Sequence, residues 1–186
     1  CGKTVVFADL AKRLADVGWR TLILAHRDEL IEQARDTIAS VHGILPGREK
    51  AGDRATLDDP IVVGSVQTMR GSRLQRWPRD HFKLVIPDEA HHAAADTYRA
   101  IRKHFASAKY LGVTATPDRA DDRKLGDDFP EIAYQYPLRQ AVKDGWLAPI
   151  IGRRVTGFTL DLTGIKKKAG DLSEGDLLGI LHERLL

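Results

Sequence analysis

Two adjacent carboxylates, Asp88 and Glu89, are the residues with the clearest chemical potential, and they follow the mostly apolar run Phe82–Pro87. An apolar run that ends in acids is typical of a buried parallel strand reaching the carboxyl edge of an open α/β sheet, where such folds bind ligands. There Asp88 can hold Mg²⁺ directly or through water, and Glu89 can orient or deprotonate an attacking water. The same pair can instead cap the following helix, since acids are favoured near helix N-termini.

A second group of chemically suited residues, Gly2-Lys3-Thr4, opens the chain. It matches the end of the phosphate-binding loop G-x-x-x-x-G-K-S/T, and the apolar spacing after it predicts a helix. The helix amides favour anions, Lys3 can reach the outer phosphates of a nucleotide as a point charge, and the Thr4 hydroxyl can ligate Mg²⁺. Alone, these residues also fit an ordinary basic helix start. With Asp88 and Glu89 they form complementary halves of one nucleotide site.

Polar residues also follow three other predicted strands. Arg27 can bind a nucleic-acid phosphate or remain solvated at a helix start. Gln67 and Thr68 fall at the end of the next strand, where helix capping is the alternative role. Thr114 and Thr116 can couple a nucleotide site to a nucleic-acid face through hydrogen bonds, although Thr-Pro is also a common turn.

The elements that must position these residues alternate between strand and helix. Short apolar runs predict strands at Thr21–Ala25, Ile61–Val66, Phe82–Ile86 and Tyr110–Val113, and helical apolar spacing follows several of them. This alternation predicts an α/β fold with a parallel sheet. The polar stretch Leu45–Pro60 is expected to be a surface connection with little chemistry.

Length and composition are those of a globular protein. The chain has 186 residues, 42% hydrophobic and 30% charged, which suffices for one good core and a tail. A net charge of +3 permits a polyanionic partner without requiring one. A single cysteine excludes an intrachain disulfide framework, and the chain shows neither a bilayer-length apolar run nor a charged leader, so a cytoplasmic location is expected. His91 and His92 have no evident further ligands for a zinc site.

Five motifs in order resemble those of a known family. They are Gly2-Lys3-Thr4, Leu24–Leu30, Gly64–Thr68, Asp88–His92 and Thr114–Pro117. With them the chain resembles the first motor domain of superfamily-two DEAD/DEAH-box helicases, and more narrowly the branch of type III restriction subunits and excision-repair helicases. The resemblance covers about residues 1 to 160, and five motifs in sequence are far more specific than any one. It implies an ATP hydrolase that moves on nucleic acid, DNA rather than RNA.

The resemblance also implies a fold and partners. The fold would be α/β and RecA-like, of the P-loop NTPase type, with a mostly parallel sheet sandwiched by helices and its first strand missing. Residues 1–146 would form the ATP-binding domain, incomplete at its N-terminus, and 147–186 a connector toward a second motor domain. Ser173 is expected to begin a final helix in that connector. The implied partners are nucleic acid, the second RecA-like domain of the parent chain and a nuclease or methyltransferase subunit, with no membrane.

By the same resemblance, ATP and Mg²⁺ are the cofactors and the nucleotide residues have assigned roles. Gly2, Lys3 and Thr4 would bind the ATP phosphates, and Thr4 and Asp88 would hold Mg²⁺. Glu89, beside the metal carboxylate Asp88, would be the water-activating base, and with Lys3 these acids would form the catalytic group. Catalysis would then consist of positioning and charge stabilisation of a transferring γ-phosphoryl group.

The remaining candidate residues would link the nucleotide site to the bound nucleic acid. In such helicases His91, Thr114 and Thr116 would couple hydrolysis to movement between two motor domains. Arg27, Gln67 and Thr68 would lie near the nucleic-acid strand.

The chain departs from the family pattern at three points. It enters the phosphate loop at the fifth position of that motif, without the upstream glycine and strand, so part of the amide cradle is lacking. It also lacks the second motor domain with its arginine finger, and we therefore expect the chain alone to hydrolyse ATP feebly or not at all. Pro87 replaces the usual β-branched residue, and because proline donates no ladder hydrogen bond, that strand end is expected to fray.

Two other classes of function remain open. One is a Mg²⁺-dependent NTPase switch, or a chaperone-like ATPase, that does not track a strand; its hydrolysis would be indifferent to nucleic acid. The other is a degenerate module that only binds DNA or another protein. The intact Lys3, Asp88 and Glu89 count against degeneracy in the parent protein.

Overall fold

A computed structural model of the chain describes residues 2–92, 96–115, 128–149, 151–152, 167–168 and 171–172. The chain divides into two compact units, Cys1–Pro137 and Leu138–Leu186. In chain order, the helices and strands are α1 (Lys3–Asp16), β1 (Thr21–Ala25), α2 (Asp28–His42), β2 (Gly47–Glu49), β3 (Ile61–Ser65), α3 (Gly71–Gln75), β4 (Leu84–Pro87), α4 (Asp96–His104), β5 (Lys109–Tyr110), α5 (Leu138–Lys143), β6 (Lys167–Lys168) and β7 (Asp171–Leu172). A 3₁₀ turn, Ala90–His92, lies between β4 and α4.

The first unit is built on a five-stranded sheet in the order β2-β3-β1-β4-β5. Every neighbouring pair in this sheet is parallel. The carboxyl ends of the strands therefore share one edge, which is where parallel α/β sheets place ligands. The predicted parallel α/β fold is confirmed.

The central strands β1, β3 and β4 are buried along their whole length because helices cover both faces of the sheet. Leu22 and Leu24 of β1 pack in one core with α3 and α4, whereas Ile23 and Ala25 face the other core with α1 and α2. Each fully buried aliphatic side chain contributes about 1.5–3 kcal/mol to folding. The central strands thus form a rigid base for the residues at their ends.

The prediction for Leu45–Pro60 is wrong, because this stretch contains the edge strand β2. Glu49, the last residue of β2, is fully buried at 0% exposure. Arg73 and Arg76 pair with its carboxylate and offset the cost of burying the charge. A three-residue strand in a polar stretch has no apolar run to reveal it.

The predicted fraying at Pro87 is also wrong. Beyond Pro87, the Asp88 amide donates to the Leu24 carbonyl of β1 at 2.8 Å, and the Pro87 carbonyl accepts from the Val113 amide at 3.0 Å. The backbone of Pro87 therefore faces the residues that follow β5, and the missing N–H removes one donor on that side only. Both neighbouring strands hold the strand end in place.

The second unit contains α5 and the antiparallel pair of β6 and β7. The helix predicted from Ser173 lies outside the described residues. The predicted boundary at residue 146, which concerns a connector to another motor domain, stays a prediction. In the described part of the chain, no helix is both long and apolar enough to cross a membrane.

Candidate functional site

The start of α1 meets the acidic pair at the carboxyl edge of the sheet. Gly2 precedes the helix with φ 76°, a left-handed conformation that glycine adopts without steric cost. The Lys3 ammonium donates to Glu89 Oε1 at 2.8 Å, although the two residues are 86 positions apart in sequence. Thr4 follows Lys3 in the first turn of α1. The fold thus brings the two chemically suited groups into one site.

Asp88 follows β4 and is buried, with 7% of its surface exposed. The Glu89 amide donates to Asp88 Oδ1 at 3.0 Å. Burial raises the pKa of Asp88, while the Glu89 amide and the Lys3 ammonium oppose that rise. A buried carboxylate at a strand end is a strong site for a cation, which would replace the solvation lost on burial.

Glu89 adopts an unusual backbone conformation for a residue with a side chain. Its φ is 51°, in the left-handed region that non-glycine residues rarely adopt. In this conformation its carboxylate reaches Lys3 through Oε1 and lies 3.2 Å from His91 Nδ1 through Oε2. Burial acts to raise the pKa of Glu89, but the Lys3 hydrogen bond and charge, with His91, outweigh burial and lower it. Glu89 is therefore ionised at neutral pH.

His91 connects the acidic pair to the end of the next strand. Its Nδ1 lies 2.9 Å from Thr114 Oγ1, and the Ala90 amide donates to the Val113 carbonyl at 2.9 Å. Lys3, Glu89, His91 and Thr114 therefore form one continuous series of contacts. Thr116, the other predicted coupling residue, lies outside the described residues.

Close packing at Gly112 supports this series. A Cβ added at Gly112 would lie 2.8 Å from Phe129 Cζ and 2.9 Å from Ala90 Cβ, closer than real contacts. Because His91 follows Ala90, Gly112→Ala is expected to lower the free energy of unfolding by about 1–3 kcal/mol and to displace the His91 contact. Urea denaturation measures the first effect, with Gly152→Ala as the control because no atom of the described residues lies within 4 Å of its added Cβ. Equal stability of the two variants would contradict the prediction.

The predicted nucleic-acid residues lie at the same edge of the sheet. Arg27 is exposed and precedes the first residue of α2. Gln67 Nε2 donates to the His26 carbonyl at 3.2 Å, which places Gln67 next to Arg27, and Ser65 Oγ donates to Gln67 Oε1 at 2.7 Å. Thr68 accepts a hydrogen bond from a loop amide and is described further below.

Sequence reasoning had assigned no role to Ser65 or to the His26 carbonyl. No sequence signal marks either group, because their directions depend on the register of β3 against β1. β1 lies between β3 and β4, so Gln67 and Asp88 flank the end of β1 on opposite sides.

The donor set at Asp88 and Thr4 suits Mg²⁺. Both side chains offer hard oxygen ligands, and Mg²⁺ is usually bound by one or two protein groups together with substrate phosphates and water. Among the described residues, no group of three or more His, Cys, Asp or Glu is placed to hold a metal by itself. The site therefore fits a metal that arrives with a nucleotide.

In this fold, the ligand edge of a parallel sheet brings a lysine at a helix start next to a pair of acids at a strand end. This arrangement defines the class of the protein, the first RecA-like motor domain of a superfamily-two helicase. Residues 1–119 match the family model described as "Type III restriction enzyme, res subunit", and the chain belongs to this ResIII family.

Curated relatives and solved structures agree with this family. The chain is 31% identical over 198 residues to the putative ATP-dependent helicase IRC3 of Saccharomyces cerevisiae, covering 98% of this chain and 28% of that protein. It is 30% identical over 177 residues to the type I restriction enzyme EcoAI endonuclease subunit of Escherichia coli, covering 89% and 21% respectively. The Pyrococcus furiosus Hef helicase domain shares the fold, with a TM-score of 0.57 at 22% identity over 69% of this chain and 31% of that chain. The chain spans about a quarter of the length of these curated relatives.

Proposed function

We propose that the chain is the ATP-hydrolysing motor domain of a DNA helicase or translocase. The observation that carries this proposal is the 2.8 Å contact between Lys3 Nζ and Glu89 Oε1, which joins a phosphate-binding helix start to a strand-end acid pair. Restriction-enzyme and helicase relatives support a nucleic-acid partner. The domain needs its second RecA-like domain to complete the cycle, and a nuclease or methyltransferase subunit is a further partner.

Each residue of the nucleotide site has a distinct task. The Gly2 backbone and the first turn of α1 present amides to the phosphates, and Lys3 places a positive charge beside the outer phosphate. Asp88 and Thr4 would hold Mg²⁺, which would supply positive charge against the charge that develops on the phosphate oxygens. Glu89 orients a water for attack and accepts its proton.

The Lys3–Glu89 ion pair and bound nucleotide compete for the same ammonium. When phosphates take up Lys3, the pair opens and Glu89 becomes available to a water. The opening of this pair changes the surroundings of His91, because its Nδ1 faces both Glu89 Oε2 and Thr114 Oγ1. Thr114, with Thr116, passes the change to the nucleic-acid face and to the second motor domain.

Arg27, Gln67 and Thr68 form the proposed DNA face. An arginine and two neutral hydrogen-bonding side chains suit contacts to the phosphate backbone, which fix position without reading sequence. A cytoplasmic location stays a prediction from the sequence, and one relative is named a mitochondrial helicase.

Stimulation of ATP hydrolysis by DNA tests the proposal. In the full natural polypeptide, single-stranded or duplex DNA is expected to raise ATP turnover. Gln67→Ala is expected to raise the half-saturating DNA concentration about tenfold, because it removes both a proposed DNA contact and the hydrogen bond to the His26 carbonyl at the end of β1. The control is Gln75→Ala, an exposed glutamine at the end of α3. Hydrolysis that ignores DNA would favour the NTPase switch, and DNA binding without any hydrolysis would favour the degenerate module.

A further inference from the structure

A buried carboxylate, Glu49, is paired with two partly exposed arginines near the proposed DNA face. Glu49 is fully buried, and its carboxylate oxygens lie 2.7 Å from Arg73 Nε and 2.8 Å from Arg76 Nη2. The Ala55 amide also donates to Glu49 Oε2 at 3.2 Å. All these contacts hold the end of the edge strand β2.

Arg73 extends this pairing to a neighbouring turn. Its Nη1 donates to the Ala51 carbonyl at 3.1 Å, and its Nη2 donates to the Asp53 carbonyl at 2.5 Å. Backbone hydrogen bonds between Lys50 and Asp53 close this turn, which we call the 50–53 turn. One guanidinium therefore forms an ion pair with the buried carboxylate and donates hydrogen bonds to two turn carbonyls.

The 50–53 turn contacts both segments of the proposed DNA face. The Ala51 amide donates to Thr68 Oγ1 at 3.4 Å, and Ala51 has φ 45°, a left-handed conformation that the surrounding contacts must maintain. Lys50 pairs with Asp28, the first residue of α2, directly after Arg27.

We propose that Glu49 and Arg73 are positioning residues for DNA binding: they hold the 50–53 turn, and the turn fixes Thr68 and the start of α2. This inference rests on the DNA face proposed above. Buried ion pairs are weak sources of stability, and apolar residues often replace them without loss. Apolar residues could not hold the two carbonyls of the turn, so positioning explains the pair better than stability does.

Arg73→Lys tests whether Arg73 affects DNA binding through its contacts with the turn or only through its positive charge. Lysine keeps the positive charge but lacks the fork that binds the carboxylate and both carbonyls together. In the full natural polypeptide, the dissociation constant for DNA is expected to rise about tenfold, with the slope of its salt dependence unchanged because no charge is lost. The affinity for ATP is expected to stay the same, since among the described residues Arg73 contacts Glu49, Ala51 and Asp53 and not the nucleotide site.

Arg76→Lys is the matched control. Arg76 pairs with the same carboxylate, but its other contacts are the Ala55 carbonyl and the Trp77 ring, both outside the 50–53 turn. It is expected to change stability in thermal denaturation as much as Arg73→Lys does, while leaving DNA affinity within about twofold. Equal weakening of DNA binding by both arginine variants, or by neither, would overturn the proposal.

For Glu49→Gln, electrostatics alone and positioning predict opposite changes in DNA affinity. The substitution makes the protein one charge more positive, so electrostatics alone predicts tighter DNA binding. Positioning predicts weaker binding, because the amide cannot pair with Arg73 as a carboxylate does. Tighter binding overturns positioning. Wild-type protein that binds no DNA overturns the proposed function as well, whereas wild-type binding that Arg73→Lys leaves unchanged overturns positioning alone.

Discussion

In the full natural polypeptide, Glu89→Gln is expected to slow ATP turnover by about 10²–10⁴-fold while ATP remains bound. Glutamine has nearly the same size, so it still fits beside Lys3, but its amide cannot accept the proton of the attacking water. The protein should remain folded, because the Lys3–Glu89 pair is about a quarter exposed and such pairs contribute about 1 kcal/mol or less. Single-turnover hydrolysis measures the chemical step, and a fluorescent ATP analogue measures binding.

Glu131→Gln is the control for this experiment, since Glu131 is exposed and has no contact with Lys3 or His91 among the described interactions. It is expected to hydrolyse ATP at the wild-type rate. A Glu89→Gln variant that keeps more than about a tenth of wild-type turnover would remove Glu89 from the role of base.

Lys3→Ala is expected to weaken ATP binding by about 100-fold or more, because it removes the charge placed beside the outer phosphate. The variant also deprives Glu89 of its ion-pair partner, so the pKa of Glu89 should rise from its lowered value. Isothermal titration with a non-hydrolysable ATP analogue and Mg²⁺ measures the affinity.

Lys12→Ala is the matched control for Lys3→Ala, because Lys12 lies on the same helix but outside the site. Its ammonium donates to Asp16 Oδ1 at 2.5 Å. Its loss is expected to leave ATP affinity unchanged. If both variants bind ATP as the wild type does, the helix start is not the phosphate site, and the nucleotide proposal fails.

Much of the fold was predictable because parallel strands buried on both faces leave a strong signal. The strands β1, β3 and β4 are mostly apolar runs. Each is buried along its whole length and packs into the two cores. The acids Asp88 and Glu89 were recognisable because they interrupt such a run. Their roles, like that of Lys3, were predicted from residue type and order alone, and those roles stay predictions.

The edge of the sheet was less predictable. β2 has three residues in a polar stretch, and the burial of Glu49 depends on Arg73 of α3 and Arg76, the residue after α3. Nothing in the spacing of Glu49, Arg73 and Arg76 marks them as a cluster. The prediction of fraying at Pro87 was wrong because the effect of a proline depends on which side its missing N–H would face, and the sequence does not show that side.

The sequence by itself determined the alternation of strand and helix, the parallel sheet and the family, because these follow from local apolar patterns and ordered motifs. The tertiary structure alone decided that Lys3 reaches Glu89, that His91 faces Thr114, and that Arg73 holds the 50–53 turn. Each of these contacts joins residues whose separation in the chain carries no periodic signal. They form because strand register and helix packing fix the directions of the side chains, and only the assembled sheet sets those directions.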